Sequence, residues 1–241
     1  MPVSTLLFQG ALLAHLVSLS LPSQRPPSAP PAYPFAVGER LEYEATVGMV
    51  PVGSASIVVS PMATEQGRQA FVFAASGEAR PLGLRFGAEL TSYVGVQAFN
   101  SLRFHRKLIQ GGSVNDVQFE IVPDSSRYRQ LGDPRDWVAP SNPLDELAFL
   151  YYLRTARLKP GASYSISRYF QTGYNPVQVR VTGRETRTLP DGTSAPVLTL
   201  EVTSRGNLVT LALTDDARRL PVEINLPLPF GRVTLELSKV S

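Results

Sequence analysis

Cysteine is absent from the chain. That excludes disulfides, thiol nucleophiles, zinc–thiolate centres and lipid attachment at an N-terminal cysteine. Histidine is nearly absent too, with only His15 and His105. Lysine occurs only at Lys107, Lys159 and Lys239, arginine supplying the remaining basic residues, a bias that reads as genome composition rather than chemistry. Charged residues make up 18%, and the net charge of +3 is too mild to call for a polyanionic partner. No phosphate-binding loop and no dinucleotide glycine pattern occurs. What is plentiful is apolar: 43% hydrophobic residues over 241 positions are enough for a substantial core. The 21 prolines and 18 glycines imply many turns.

Leu6 to Leu21 is a mostly apolar run that Pro22 stops at roughly sixteen residues, short of the roughly 20 that span a bilayer. Its length, small residues near its end (Ser18, Ser20) and polar exit predict a signal peptide over residues 1–23. An uncleaved inner-membrane anchor is the alternative. Residues 24–34 are proline-rich, as in Pro26-Pro27 and Pro30-Pro31, and predict an extended spacer. Export to the periplasm is the expected destination, with membrane contact only through this N-terminal segment. A single domain is expected over 35–241.

From Phe35 onward the dominant period is two. Leu41, Tyr43, Ala45 and Val47 alternate with Arg40, Glu42, Glu44 and Thr46; Val177, Val179 and Val181 repeat the pattern, as do Leu198, Leu200 and Val202 and Val233, Leu235 and Leu237. One wet and one buried face predicts antiparallel sheet. Gly111-Gly112 predicts a type I′ hairpin that places Leu102 opposite Ile121, Phe104 opposite Phe119, Arg103 opposite Glu120, His105 opposite Gln118 and Lys107 opposite Asp116. Arg205-Gly206 predicts a second hairpin, with Leu200 opposite Leu211 and Val202 opposite Val209. Asp191-Gly192 and Asp215-Asp216 predict further turns.

One segment departs from the pattern. Asn142 as N-cap, Pro143 at the first helical position and the acids Asp145 and Glu146 in the first turn predict a helix. Leu147 to Arg154 is apolar nearly all round, so that helix is expected to be buried on most sides. The predicted architecture is mainly β: a single large curved antiparallel meander, a half-barrel or open barrel, around one buried helix.

On these residues the chain resembles the exported bacterial proteins of the domain of unknown function 3108 family. The likeness begins at Pro34 to Tyr43, continues through Pro51-Val52-Gly53, Asp145 to Arg154 and Leu158 to Gly161, and closes with Leu213 to Val222 and a strand from Gly231 to Leu237. The resemblance implies a secreted or periplasmic β-rich domain with no established reaction. A weaker, fold-level analogy is to lipoprotein-carrier and lipoprotein-sorting folds, and fold does not give function.

Candidate chemistry is sparse. His105 is expected on a wet strand face among Arg103, Lys107 and Gln118, without the partners of a base or a metal ligand. Ser54 and Ser56 lack the flanking glycines of a nucleophile elbow. Asp215-Asp216 reads as a turn in which Arg218 or Arg219 braces Asp216, with Pro221 opening the next strand. Arg103, Arg106, Lys107, Arg127 and Arg129 read as a solvated, self-neutralised face. No catalytic residue, metal ligand or cofactor is assigned, and export removes nucleic acid as a partner.

Three functions follow in order. The first is a non-catalytic binding module for an apolar or amphipathic envelope ligand, lipid or lipid-like, with Tyr151, Tyr152 and Arg154 lining or gating a cavity and the arginine meeting an anionic head. The second is a structural protein acting through envelope protein partners. The third, a hydrolase using Asp215 and Asp216, ranks last.

Overall fold

A computed structural model describes residues 32–228 and 231–241. The expected signal peptide, and the spacer before Ala32, lie outside the described residues. The first half of the chain forms β1 (Arg40–Val47), β2 (Val50–Glu65), β3 (Arg68–Ala79), β4 (Phe86–Gly95), β5 (Asn100–Gln110) and β6 (Ser113–Val122). Two short strands follow, β7 (Arg127–Gln130) and β8 (Trp137–Val138), and then α1 (Glu146–Thr155). The second half forms β9 (Ser163–Ile166), β10 (Val177–Thr188), β11 (Ser194–Ser204), β12 (Asn207–Thr214), β13 (Pro221–Leu228) and β14 (Gly231–Val240).

All the strands belong to one 14-stranded antiparallel sheet, ordered β8 to β1 and then β14 to β9. Every neighbour is also a chain neighbour except β1 and β14, whose pairing from Leu41↔Val240 to Val47↔Val233 joins the two ends of the meander. The sheet is not closed. Its free edges are the short strands β8 and β9, and the segment carrying α1 connects them. A parallel bridge joins Leu144 of that connection to Tyr169 in the β9–β10 loop.

The expected hairpin registers occur. Arg103 pairs with Glu120, Phe104 with Phe119, His105 with Gln118 and Lys107 with Asp116; Leu200 pairs with Leu211 and Val202 with Val209. The turn type at Gly111-Gly112 differs from expectation. Only Gly111 has positive φ, +61°, so the loop has the type II′ pattern. Arg205 and Gly206 do both adopt positive φ, 49° and 80°.

The helix also starts later than the sequence predicts. Asp145, not Asn142, is the N-cap, and its side chain accepts from the Ala148 amide. Asn142, Pro143 and Leu144 stay outside the helix because tertiary bonds claim their backbone. The Pro143 carbonyl accepts from Ser101, the Asn142 carbonyl from Arg168, and Leu144 exchanges bonds with Arg168 and Phe170. These long-range partners outweigh the local preference of proline for the first helical turn.

Antiparallel alternation sends successive hairpins to opposite ends of the sheet. The β1–β2, β3–β4, β5–β6, β11–β12 and β13–β14 turns share one end, called here the rim. The β2–β3, β4–β5, β10–β11 and β12–β13 turns share the other, where the described chain also enters. Near the entry end the interior is filled by aromatics. Tyr151 stacks on Phe73 at 3.8 Å between ring centroids and meets Phe35 edge-on at 4.9 Å, with Phe71, Phe99 and Tyr33 around them.

Candidate functional site

Toward the rim the interior empties, and the cause is side-chain size. The inward row of Val59, Phe73, Ser92 and Phe104 carries three large side chains and one small one. The next row, Ile57, Ala75, Leu90 and Arg106, does the same. The third, Ala55, Gly77, Ala88 and Leu108, is the thinnest. On the facing wall Leu211, Ile224, Leu226 and Leu235 keep the lining aliphatic, and Leu147, Leu150 and Leu153 of α1 form the floor. The result is a half-open apolar pocket of about 510 Å³. That lies within the roughly 300–1,000 Å³ of small-molecule sites.

Among the described residues the lining includes the carboxylates Glu78 and Glu146 but no lysine, arginine or histidine. Glu146 is held by Arg106, whose guanidinium donates to its carboxylate at 2.9 Å. Tyr169 also lines the pocket; burial, reinforced by the Glu146 carboxylate beside it, pushes its phenol well above the ordinary range.

One contact explains how the second strand fits this wall. A Cβ at Gly53 would stand 1.8 Å from the Glu78 carbonyl, so only glycine permits this approach of β2 to β3.

Beneath the floor, α1 is pinned to the sheet by Asp145. Its fully buried carboxylate accepts from the Ser92 hydroxyl at 2.6 Å, the Ser101 hydroxyl at 2.7 Å and the Ala148 amide at 3.0 Å. Burial outweighs these bonds and raises the Asp145 carboxyl to about 7.

The three residues expected to line or gate the cavity stand elsewhere. Tyr151 belongs to the aromatic cluster, and Tyr152 packs beneath the Arg168 guanidinium at 4.7 Å. The Arg154 side chain is 0% exposed and cannot meet a ligand head. Its guanidinium instead donates to Glu39 at 2.5 and 2.8 Å, and to the carbonyls of Pro34 and Arg218 at 3.1 Å each. The arginine that reads as a gate is a staple: it joins the opening segment, the helix and the β12–β13 turn. Of α1, the pocket takes Glu146, Leu147, Phe149, Leu150 and Leu153. The signal for the pocket in the sequence was the spacing of small residues (Ala55, Ala75, Gly77, Ala88) on strands whose next inward positions are large.

The remaining candidates are occupied structurally. His105 contacts Asp116 at 2.6 Å. The basic residues pair off: Arg103 with Glu65, Lys107 with Glu89, Arg127 with Asp136 and Arg129 with Glu120. Asp216 accepts from the Thr214 hydroxyl and the amides of Arg218 and Arg219. Partial burial works against ionisation there, but the Thr214 hydroxyl, the Arg219 amide and the Arg218 guanidinium together hold the carboxyl below its ordinary range. Of the two arginines expected to brace Asp216, Arg218 does so with its guanidinium at 3.1 Å, while the Arg219 side chain lies against Asp215 at 2.9 Å. The Pro221 carbonyl accepts from the buried Tyr43 hydroxyl. Ser54 and Ser56 lie on β2.

The family model described as protein of unknown function, DUF3108, matches residues 42–238. Curated proteins give no match. Among solved structures, the chain is similar to a β-barrel-like protein of the domain of unknown function DUF1849 from Brucella abortus. The TM-score is 0.56 at 9% identity, over 85% of this chain and 97% of that one. A second is provisionally described as a lipoprotein, from Parabacteroides distasonis, with a TM-score of 0.36 at 8% identity over 87% of this chain and 97% of that one. The first likeness is one of fold alone.

Proposed function

The chain belongs to the DUF3108 family of proteins of unknown function, and from that premise we propose that it is a non-catalytic binding module of the cell envelope. Its ligand is apolar or amphipathic and lipid-like, held between α1 and the thin-walled half of the sheet. The observation that carries this reading is the half-open, aliphatic pocket of about 510 Å³. Leaving so much apolar surface unfilled beside a well-packed aromatic cluster is costly for a fold that needs only to be stable. The lack of a cationic side chain in the lining favours a neutral apolar body, with any anionic head left outside. The envelope setting rests on the signal-like N-terminal run.

The test is titration of the purified protein with N-phenyl-1-naphthylamine, a neutral probe that brightens in apolar surroundings. The wild type is expected to bind it saturably. Ala88→Phe, which fills the thinnest row, is expected to weaken binding more than tenfold while leaving the melting temperature nearly unchanged. Absence of saturable binding by the wild type, or equal binding by the variant, overturns the proposal.

A further inference from the structure

The rim of the pocket carries large apolar side chains in full contact with water. Met49 is 97% exposed and Leu82 is 100% exposed, and Val50, Leu84, Val114 and Leu228 are exposed beside them. Single exposed hydrophobics are ordinary on a protein surface. These are not scattered: they sit on or beside four hairpin tips that strand alternation gathers at one end. The β3–β4 and β5–β6 tips touch directly, the Gly111 amide donating to the Arg85 carbonyl. Leu82 is doubly unfavourable as an isolated surface residue. It exposes its whole side chain and adopts φ 52°, a left-handed conformation that disfavours side-chain-bearing residues.

The same tips are basic. Arg80, Arg85, Arg205 and Arg232 are all exposed there, beside Glu78, which Arg85 already pairs at 2.7 Å, and beside Glu44 and Glu236 in the same cross-strand row. Arg205 also lies over Tyr174, a lining residue, at 4.9 Å. Apolar tips flanked by arginines, ringing an apolar opening, match the layered chemistry of a bilayer surface: anionic headgroups outside and acyl chains within. The described chain enters at the opposite end, where Phe35 packs on Tyr151.

We propose that this rim docks onto the surface of an anionic lipid bilayer, with Met49, Leu82 and Leu84 inserted and the arginines at headgroup level. The pocket mouth then faces the membrane. This surface is distinct from the N-terminal segment and does not depend on what the pocket holds.

The absence of cysteine permits a site-specific test in the full chain. Leu82→Cys and, at the opposite end, Met62→Cys each create one labelling site for an environment-sensitive fluorophore. On adding vesicles of phosphatidylethanolamine and phosphatidylglycerol, the probe at position 82 is expected to brighten several-fold and shift to the blue. The probe at 62 is expected to stay at its aqueous value, and vesicles of phosphatidylcholine alone are expected to give a much weaker response. Arg80→Gln and Arg232→Gln are each expected to weaken vesicle binding about five-fold. Ala88→Phe is expected to leave the response intact, which keeps this result separate from the fate of the pocket reading.

An unchanged probe at 82 with both vesicle types overturns the proposal, as does an equal response at 62. So does a chain that self-associates in native mass spectrometry until Leu82→Ser disperses it, since the tips would then be an interface between copies.

Discussion

The guanidinium of Arg154 lies 2.5 Å from the carboxylate of Glu39, a residue 115 positions earlier in the chain. It also approaches the rings of Phe35 and Tyr151 at 5.5 and 5.1 Å. Three stretches that carry the family resemblance therefore meet at one ion pair: the opening segment, the helix and the β12–β13 turn, the last through the Arg218 carbonyl. A buried pair of this kind is worth little against a well-packed apolar replacement, but breaking it from one side strands a charge. Glu39→Gln is expected to destabilise the protein by about 3–5 kcal/mol, read as a lower urea midpoint. Arg154→Met with Glu39→Gln is expected to recover part of that loss. Neither change is expected to alter naphthylamine binding, because the pair sits at the end remote from the pocket mouth. Equal losses in the single and double variants would show that the pair is not coupled.

Asp145 gives the helix a pH dependence. Its ordinary value is 3.8 and its folded value is raised to about 7, so between those limits the folded state holds more proton than the unfolded. Stability from this group is full below about pH 4 and is lost as pH rises through 7. Asp145→Asn keeps a capping side chain without the titration. The difference in unfolding free energy between wild type and Asp145→Asn is expected to change by a few kcal/mol across that window. A difference that is flat with pH would contradict the assignment. Asp145→Ala, which also leaves Ser92 and Ser101 without their acceptor, is expected to cost about 2–3 kcal/mol relative to Asp145→Asn at any pH.

Gly53 is the glycine least open to replacement. A methyl at this position would overlap the Glu78 carbonyl, whereas one at Gly183 meets only the Thr199 hydroxyl at 3.5 Å. Gly53→Ala is expected to cost about 3 kcal/mol or more, or to reduce soluble yield, because backbone rather than a flexible side chain must move. Gly183→Ala is expected to be nearly neutral. Comparable melting temperatures for the two variants would refute the steric account.

The contrast between these sites shows what local sequence records. Period-two alternation at Val177, Val179 and Val181 states directly which face is buried, and those three valines are buried. Hairpin registers were legible for the same reason, since a turn dipeptide fixes the pairing of the strands it joins. The β1–β14 pairing was not, because no local signal links the two ends of a chain. Arg154 looked like a gate because an arginine closing an apolar helix has no partner within the helix, and its partner Glu39 is distant in sequence. The pocket was foreseen only in outline. Its thin wall is a deficit of volume shared by Ala55, Gly77 and Ala88 on three strands, visible only once their registers are aligned. Pro143 misled for the opposite reason: a true local preference was overridden by bonds to Ser101 and Arg168.

The β5–β6 turn separates two glycines that look equivalent in sequence. Gly111 adopts φ +61° while Gly112 does not take a positive value, the pattern of a type II′ loop. A side chain at the first position is forced into the left-handed region, at about 1–2 kcal/mol. At the second position alanine meets no such penalty and stiffens the unfolded chain. Gly111→Ala is therefore expected to lower the melting temperature by several degrees, and Gly112→Ala to leave it unchanged or slightly raised. Equal losses from both would mean that the loop is type I′ after all, with both central residues needing positive φ. Neither methyl would meet a neighbouring atom within 4 Å, so a difference between the two variants reports backbone conformation alone.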